Sequence, residues 1–137
     1  FEKLGAPFFN LRFNYLGGGD MDFFTRCRMA GFKTFWSAEA VIHEFVPEER
    51  TTAKFLMTRS IRTGSINYMV DRSNGMSPIT AFAKNAISLA LGIGRSVSLL
   101  LRTRHLVQAS HPLLVSIGRI CAAFGFVPEP YKATPKT

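Results

Sequence analysis

A run of three glycines leads directly into two acidic residues and the start of an apolar helical pattern. Residues 17–19 are all glycine, Asp20 and Asp22 follow, and the pattern ends at Gly31. Glycines permit backbone conformations closed to other residues and let a ligand approach the main chain. An acid at such a junction is either a helix cap or a group with chemistry of its own. We predict a helix over residues 20–30, with Asp20 as its N-cap and Asp22 in its first turn.

The balance of charge limits the partners of the chain. Its 137 residues carry a formal net charge of +8, from 17 Lys and Arg against 9 Asp and Glu. A strongly basic chain favours an anionic partner such as a nucleotide phosphate, an acidic lipid or nucleic acid. The basic residues are scattered and are not interleaved with aromatic residues, so we do not expect nucleic acid. The length fits one domain or a piece of a larger protein, and we expect a C-terminal fragment.

The first half of the chain reads as alternating helices and short strands. Strands are expected where aromatic and β-branched residues cluster, at residues 10–13, 32–36 and 40–45. A long helix should begin at Thr51 or Thr52 and run to about Val70. The turn-forming residues 71–78 then break the chain.

The second half reads as two apolar helices joined by a basic bend. The first covers residues 79–101, and the second is predicted to start with Pro112 at its first position and to end before Gly125. Polar residues recur on the first helix at helical spacing, which predicts one narrow polar stripe: Lys84, Ser88, Gly92, Arg95, Ser98 and Arg102.

We expect this hairpin to lie in a membrane interface, with basic side chains reaching anionic headgroups. A transmembrane hairpin and ordinary packing against protein stay open as alternatives. The uncharged run over residues 85–94 is shorter than the roughly 20 residues that a bilayer crossing needs. The predicted division is therefore residues 1–76, a membrane-associated hairpin over 77–127 and a disordered tail over 128–137.

The order of motifs over residues 17–64 resembles the C-terminal half of the catalytic domain of family 2 glycosyltransferases. The shared features are a Gly-Gly-acid turn at 18–20, a helix ending in glycine, an aromatic strand, the Glu-Ala-Val run at 39–41, Val-Pro at 46–47, and paired arginines before Gly64. The resemblance is strong over about residues 10–70 and looser over the apolar helices. It implies an α/β fold: the C-terminal half of a Rossmann-like GT-A domain, followed by the apolar hairpin.

The resemblance also implies roles for individual residues. Asp20 matches the catalytic base that deprotonates the acceptor hydroxyl, and Gly19 stands where the family usually has an acid. Gly18 and Gly19 would border the substrate, and Arg59 and Arg62 match paired arginines that contact the donor diphosphate or the acceptor. His43 lies where related enzymes can contact the metal or the diphosphate. A divalent metal, Mg or Mn, would be bound mainly by an N-terminal half outside this chain.

The expected function is that of an inverting glycosyltransferase. It would move a sugar from a nucleotide-sugar donor to a glycan or lipid-linked acceptor, as in exopolysaccharide synthesis, at the cytoplasmic face of the plasma membrane. The alternative is a non-catalytic basic module that binds a membrane surface or nucleic acid.

Overall fold

A computed structural model describes Leu4 and residues 8–128, and the described residues form four helices linked by turns and irregular segments. Short 3-10 turns precede α1 and α2, at Leu11–Phe13 and Glu48–Thr51. The four helices are α1, Gly19–Met29; α2, Ala53–Ser73; α3, Pro78–Thr103; and α4, Leu106–Ala123.

The predicted α/β class is wrong, because the described residues contain helices and no strand. The segment over 10–13 forms a 3-10 turn instead, and residues 32–36 and 40–45 have no regular structure. Their side chains are exposed, and Trp36 keeps 94% of its surface open. Aromatic and β-branched residues favour a strand only where a neighbouring strand completes the hydrogen-bond ladder. No such neighbour exists among the described residues.

Helix α1 confirms the predicted position to within one residue but not its cap. Gly18 is the N-cap, in the left-handed conformation with φ of 86°. The N–H of Asp22 donates to the carbonyl of Gly18 at 3.1 Å, so the helix has already begun when Asp20 is reached. The prediction of Asp20 as N-cap is therefore wrong, since the glycines turn the chain into the helix two residues earlier.

Helix α2 confirms the predicted long helix. Thr52 caps it, and its hydroxyl accepts a hydrogen bond from the N–H of Phe55 at 3.2 Å. The inner face of α2 packs on the segment before α1, and the two contribute an apolar core: Phe13, Leu16, Ile66 and Val70. This core holds α1 and the glycine turn against α2.

Helix α4 begins at Leu106, six residues before the predicted start at Pro112. A proline removes one backbone N–H from a helix interior, which usually ends or kinks it. The next N–H, that of Leu113, donates to the Ser96 hydroxyl of α3 at 3.2 Å. Contact with α3 thus satisfies the backbone next to Pro112, and the helix continues through it.

Helices α3 and α4 form the predicted hairpin. Arg104 makes the turn in the left-handed conformation, with φ of 55°. The order across the molecule is α2, α4, α3, because α4 packs against both others while α2 and α3 hardly touch. The domain division at residue 76 stays a prediction, and the expected disordered tail after Pro128 lies outside the described residues.

Candidate functional site

Asp20 lies on an open surface at the beginning of α1. Its side chain is exposed, and among the described residues none forms a hydrogen bond or ion pair with its carboxylate. The carboxylate is therefore open to an approaching hydroxyl, and its assignment as the catalytic base stays a prediction.

The two glycines before Asp20 have different surroundings. A Cβ atom on Gly18 would lie 2.3 Å from Cγ2 of Ile66, so this glycine lets the turn approach α2 closely. A Cβ atom on Gly19 would meet only Phe13 and Phe9, at 3.8 and 3.9 Å, which is ordinary contact. Gly18 therefore has a packing role, whereas the position of Gly19 has room for a side chain.

Asp22 lies two residues after Asp20 on α1 and has a structural role. It is fully buried, pairs with Arg26 at 2.9 Å and accepts a hydrogen bond from the Asn74 amide at 3.2 Å. Arg26 also donates to the carbonyl of Phe8. These bonds fix α1 to the end of α2 and to the preceding segment, so Asp22 is not available to a substrate.

His43 is exposed in the irregular segment between α1 and α2. In the part of the chain that the structure describes, no group of three His, Cys, Asp or Glu side chains could hold a metal ion. The residues present therefore do not fit a metal site, and the role of His43 stays a prediction.

In the same irregular segment, the pKa of Glu39 lies below its usual value because the carboxylate accepts hydrogen bonds from its own backbone N–H and from Ser37.

Arg59 and Arg62 lie on α2, but the structure gives them different positions. Arg59 is exposed and lines an open groove of about 580 Å³ between the first halves of α2 and α4. Arg62 is half-buried, does not line this groove and has a contact of its own. Asp20 does not line this groove. The structure therefore places Arg59 in a cleft, but it does not bring the predicted base and both arginines together.

His111, which the sequence reasoning missed, faces Arg59 across the groove from α4. Its Nδ1 lies 2.8 Å from the hydroxyl of Ser60, and that hydroxyl donates to the carbonyl of Leu56 at 2.8 Å. Because a hydroxyl has one proton, Nδ1 must carry the hydrogen and donate to Ser60, which leaves Nε2 for another partner. Only the position of His111 relative to α2 shows this pairing, and no sequence motif marks it.

A buried polar network joins α2, α3 and α4 at the other end of the hairpin. Asp71 pairs with Arg119 at 2.7 Å and with Lys84 at 2.8 Å. Arg119 is almost fully buried, and its Nε donates to the amide oxygen of Asn85 at 3.0 Å. Lys84, a basic residue of the predicted polar stripe, and Arg119 of α4 are therefore paired within the protein.

The packing of α3 places small and polar residues inside and large apolar residues outside. The side facing α4 carries Ala81, Asn85 and Gly92, all buried, with Ser88 and Ser96 half-buried. The outward side carries exposed apolar side chains: Ile79, Phe82, Ile87, Ile93, Val97, Leu100 and Leu101. This is the reverse of a helix in a water-soluble bundle. Membrane helices use small residues and buried polar groups at their contacts and turn apolar side chains to lipid.

Length and composition agree with that pattern. Helices α3 and α4 are both long and apolar enough to cross a membrane, with mean hydropathy of 1.3 and 1.2 over their most apolar stretches. Only 6% of that stretch of α3 is buried within the protein. The hairpin therefore exposes an apolar surface of the kind that associates with a membrane.

Comparison with known proteins finds a partial relation. The chain is 36% identical over 70 residues to the succinoglycan biosynthesis protein ExoM of Rhizobium meliloti (strain 1021), a match that covers 50% of this chain. The chain spans 23% of the length of that relative. No family model matches the chain, and no solved structure matches it. The relation supports the predicted link to surface-glycan synthesis.

Proposed function

We propose that this chain is part of a membrane-associated inverting glycosyltransferase that acts in surface-polysaccharide synthesis. The observation that carries the proposal is the 36% identity to a succinoglycan biosynthesis protein. The order of motifs over residues 17–64 supports it, because the same order occurs in family 2 glycosyltransferases. The donor would be a nucleotide sugar, and the acceptor a glycan or a lipid-linked precursor.

Asp20 would act as the general base in a single displacement. Its carboxylate takes the proton of the acceptor hydroxyl, whose oxygen then bonds to the anomeric carbon while the bond from that carbon to the nucleotide diphosphate breaks. The exposed position of Asp20 at the amino end of α1 supports this role, since no described residue forms a hydrogen bond or an ion pair with its carboxylate. The described residues supply no metal site.

The hairpin of α3 and α4 would hold the enzyme at the cytoplasmic face of the plasma membrane. The outward apolar surface of α3 supports attachment, and the exposed arginines near the bend would lie close to anionic headgroups. An acceptor carried by a lipid would then be delivered to the side of the protein that bears α1 and α2.

Replacing Asp20 in the complete protein tests the proposal. We expect Asp20→Asn to lower the rate of sugar transfer by about 10²- to 10⁴-fold, because the uncharged amide cannot accept the proton. Transfer is measured with radiolabelled nucleotide sugars and a lipid extract of the host membranes, and donor binding is measured separately by equilibrium dialysis. Donor binding should change little.

Glu49→Gln provides a matched control, since Glu49 is also an exposed acid and should leave transfer unchanged. Wild-type turnover in Asp20→Asn would rule out Asp20 as the base. Absence of transfer by the wild-type protein with every nucleotide sugar, combined with binding to membranes, would favour the non-catalytic module instead.

A further inference from the structure

We propose that the groove between α2 and α4 binds the phosphate of a membrane lipid, with Arg59 and His111 holding the phosphate. The proposal deepens the proposed function and rests on its membrane attachment. It names a class of ligand, a phosphate ester on a hydrocarbon chain, and a place for it on this protein.

The charge of the groove favours an anion. The Arg59 guanidinium is exposed in it, and none of the residues that line the groove is Asp or Glu. In the described part of the chain no carboxylate pairs with Arg59. A guanidinium group donates to phosphate oxygens in a bidentate manner and keeps its charge at all physiological pH values.

The opposite wall of the groove supplies further polar groups. Ser60 fixes the ring of His111 through Nδ1, so Nε2 is left as a second polar contact for the ligand. Gln108, one turn earlier on α4, adds an amide that can donate without charge. The groove therefore has a fixed cation on one side and an oriented imidazole with an amide on the other.

The remaining walls favour a hydrocarbon chain. Leu56, Leu99 and Val107 come from three different helices and line the same groove. An inorganic phosphate ion would leave this apolar surface unused, whereas a lipid phosphate would cover it. A mixed lining of this kind is suited to a ligand with a charged head and an apolar tail.

The position of the groove agrees with a lipid ligand. Val107 and Gln108 lie in the first turn of α4, directly after the bend that carries Arg102, Arg104 and His105. With the outward face of α3 in lipid, long basic side chains at the bend would reach the headgroup level. The groove would then open where lipid phosphates lie.

Binding of farnesyl phosphate to the 137-residue chain in nonionic micelles tests the proposal, measured by equilibrium dialysis. Farnesol has the same hydrocarbon without the phosphate, and inorganic phosphate has the anion without the hydrocarbon. We expect wild type to bind farnesyl phosphate at least about tenfold more tightly than either. Equal binding of farnesol, or equal binding of inorganic phosphate, would overturn the proposal.

Two substitutions locate the site. Arg59→Ala should weaken farnesyl phosphate binding about tenfold, whereas Arg28→Ala, which removes an exposed arginine from α1, should leave it unchanged. His111→Gln should weaken it less, by about threefold, because an amide keeps a polar group at this position. Equal affinities in Arg59→Ala and Arg28→Ala would refute the site, and circular dichroism confirms that both variants fold.

Sedimentation with anionic phospholipid vesicles separates this proposal from the proposed function. If wild type binds vesicles but Arg59→Ala keeps full affinity for farnesyl phosphate, the groove is refuted while membrane attachment stands. If wild type does not bind vesicles at low salt, membrane attachment itself is refuted. Vesicle binding by both, with weakened farnesyl phosphate binding by Arg59→Ala, supports the groove.

Discussion

Helix α2 makes two contacts that follow opposite packing rules. Toward α1, it contributes Ile66 and Val70 to an apolar core with Phe13 and Leu16. Toward α4, the same helix presents small and polar residues: Ser60, Gly64, Ser65 and Asp71. The first contact is that of a water-soluble domain, with apolar groups inside. The second is that of membrane helices, in which polar groups are paired inside and apolar groups lie outside.

The difference indicates that the two sides of one helix are held by different kinds of contact. The contact with α1 gains free energy by removing apolar surface from water. Lipid is as apolar as the side chains themselves, so in lipid this gain is small. Contacts between membrane helices are stabilised instead by close backbone approach and by buried polar pairs. The α4 side has both features. Gly64 and Gly118 let the backbones of α2 and α4 touch, and the Ser65 hydroxyl donates to the carbonyl of Gly118 at 3.1 Å.

The largest effect is expected from breaking the ion pair on the α4 side. Asp71→Asn leaves the Arg119 guanidinium buried without its counter-charge, and we expect a loss of about 3–5 kcal/mol in the free energy of unfolding. The measurement is denaturant unfolding followed by circular dichroism in micelles. Asp20→Asn is the control, because Asp20 has no such partner. A loss no larger than that of the control would mean that Asp71 is not essential to the α4 contact.

The glycine contact between α2 and α4 gives the next largest effect. A Cβ atom on Gly118 would lie 1.9 Å from the carbonyl oxygen of Ile61, so Gly118→Ala must push the two backbones apart. We expect destabilisation of about 3 kcal/mol. Gly94→Ala on α3 is the matched control, since nothing lies within 4 Å of its Cβ position, and it should be neutral or slightly stabilising. Equal stability of the two variants, measured by thermal unfolding, would contradict the close packing of α2 and α4.

The sequence predicted the helices well and their surroundings less well. Periodicity located α1, α2 and α3, since this signal is local, and Thr52, one of the two threonines proposed as the cap of α2, caps that helix. The strand predictions were wrong because a strand depends on a neighbouring strand, which periodicity does not reveal. The predicted start of α4 was wrong because Ser96, a residue of another helix, accepts a hydrogen bond from the backbone N–H beside Pro112.

The candidate site was also predicted only in part. The sequence singled out Arg59 and Asp20 through the resemblance, and the structure shows that both are exposed. His111 could not be found because its pairing with Ser60 joins residues far apart in the chain. The polar stripe on α3 was recognised, but periodicity alone did not show which of its members face α4. Ser88 and Gly92 do so.

The smallest effects are expected on the α1 side, where two adjacent glycines should respond in opposite directions. Gly18→Ala places a side chain at φ of 86° and 2.3 Å from Ile66, and we expect a loss of about 1–2 kcal/mol. Gly19→Ala has room and a helical backbone, so it should stabilise the chain by about 0.5 kcal/mol through the lower entropy of the unfolded state. Denaturant unfolding of both variants measures the difference. Equal destabilisation by the two would show that the turn as a whole, and not the approach of Gly18 to Ile66, sets the position of α1. A stabilised Gly19→Ala would show that the fold does not require glycine there.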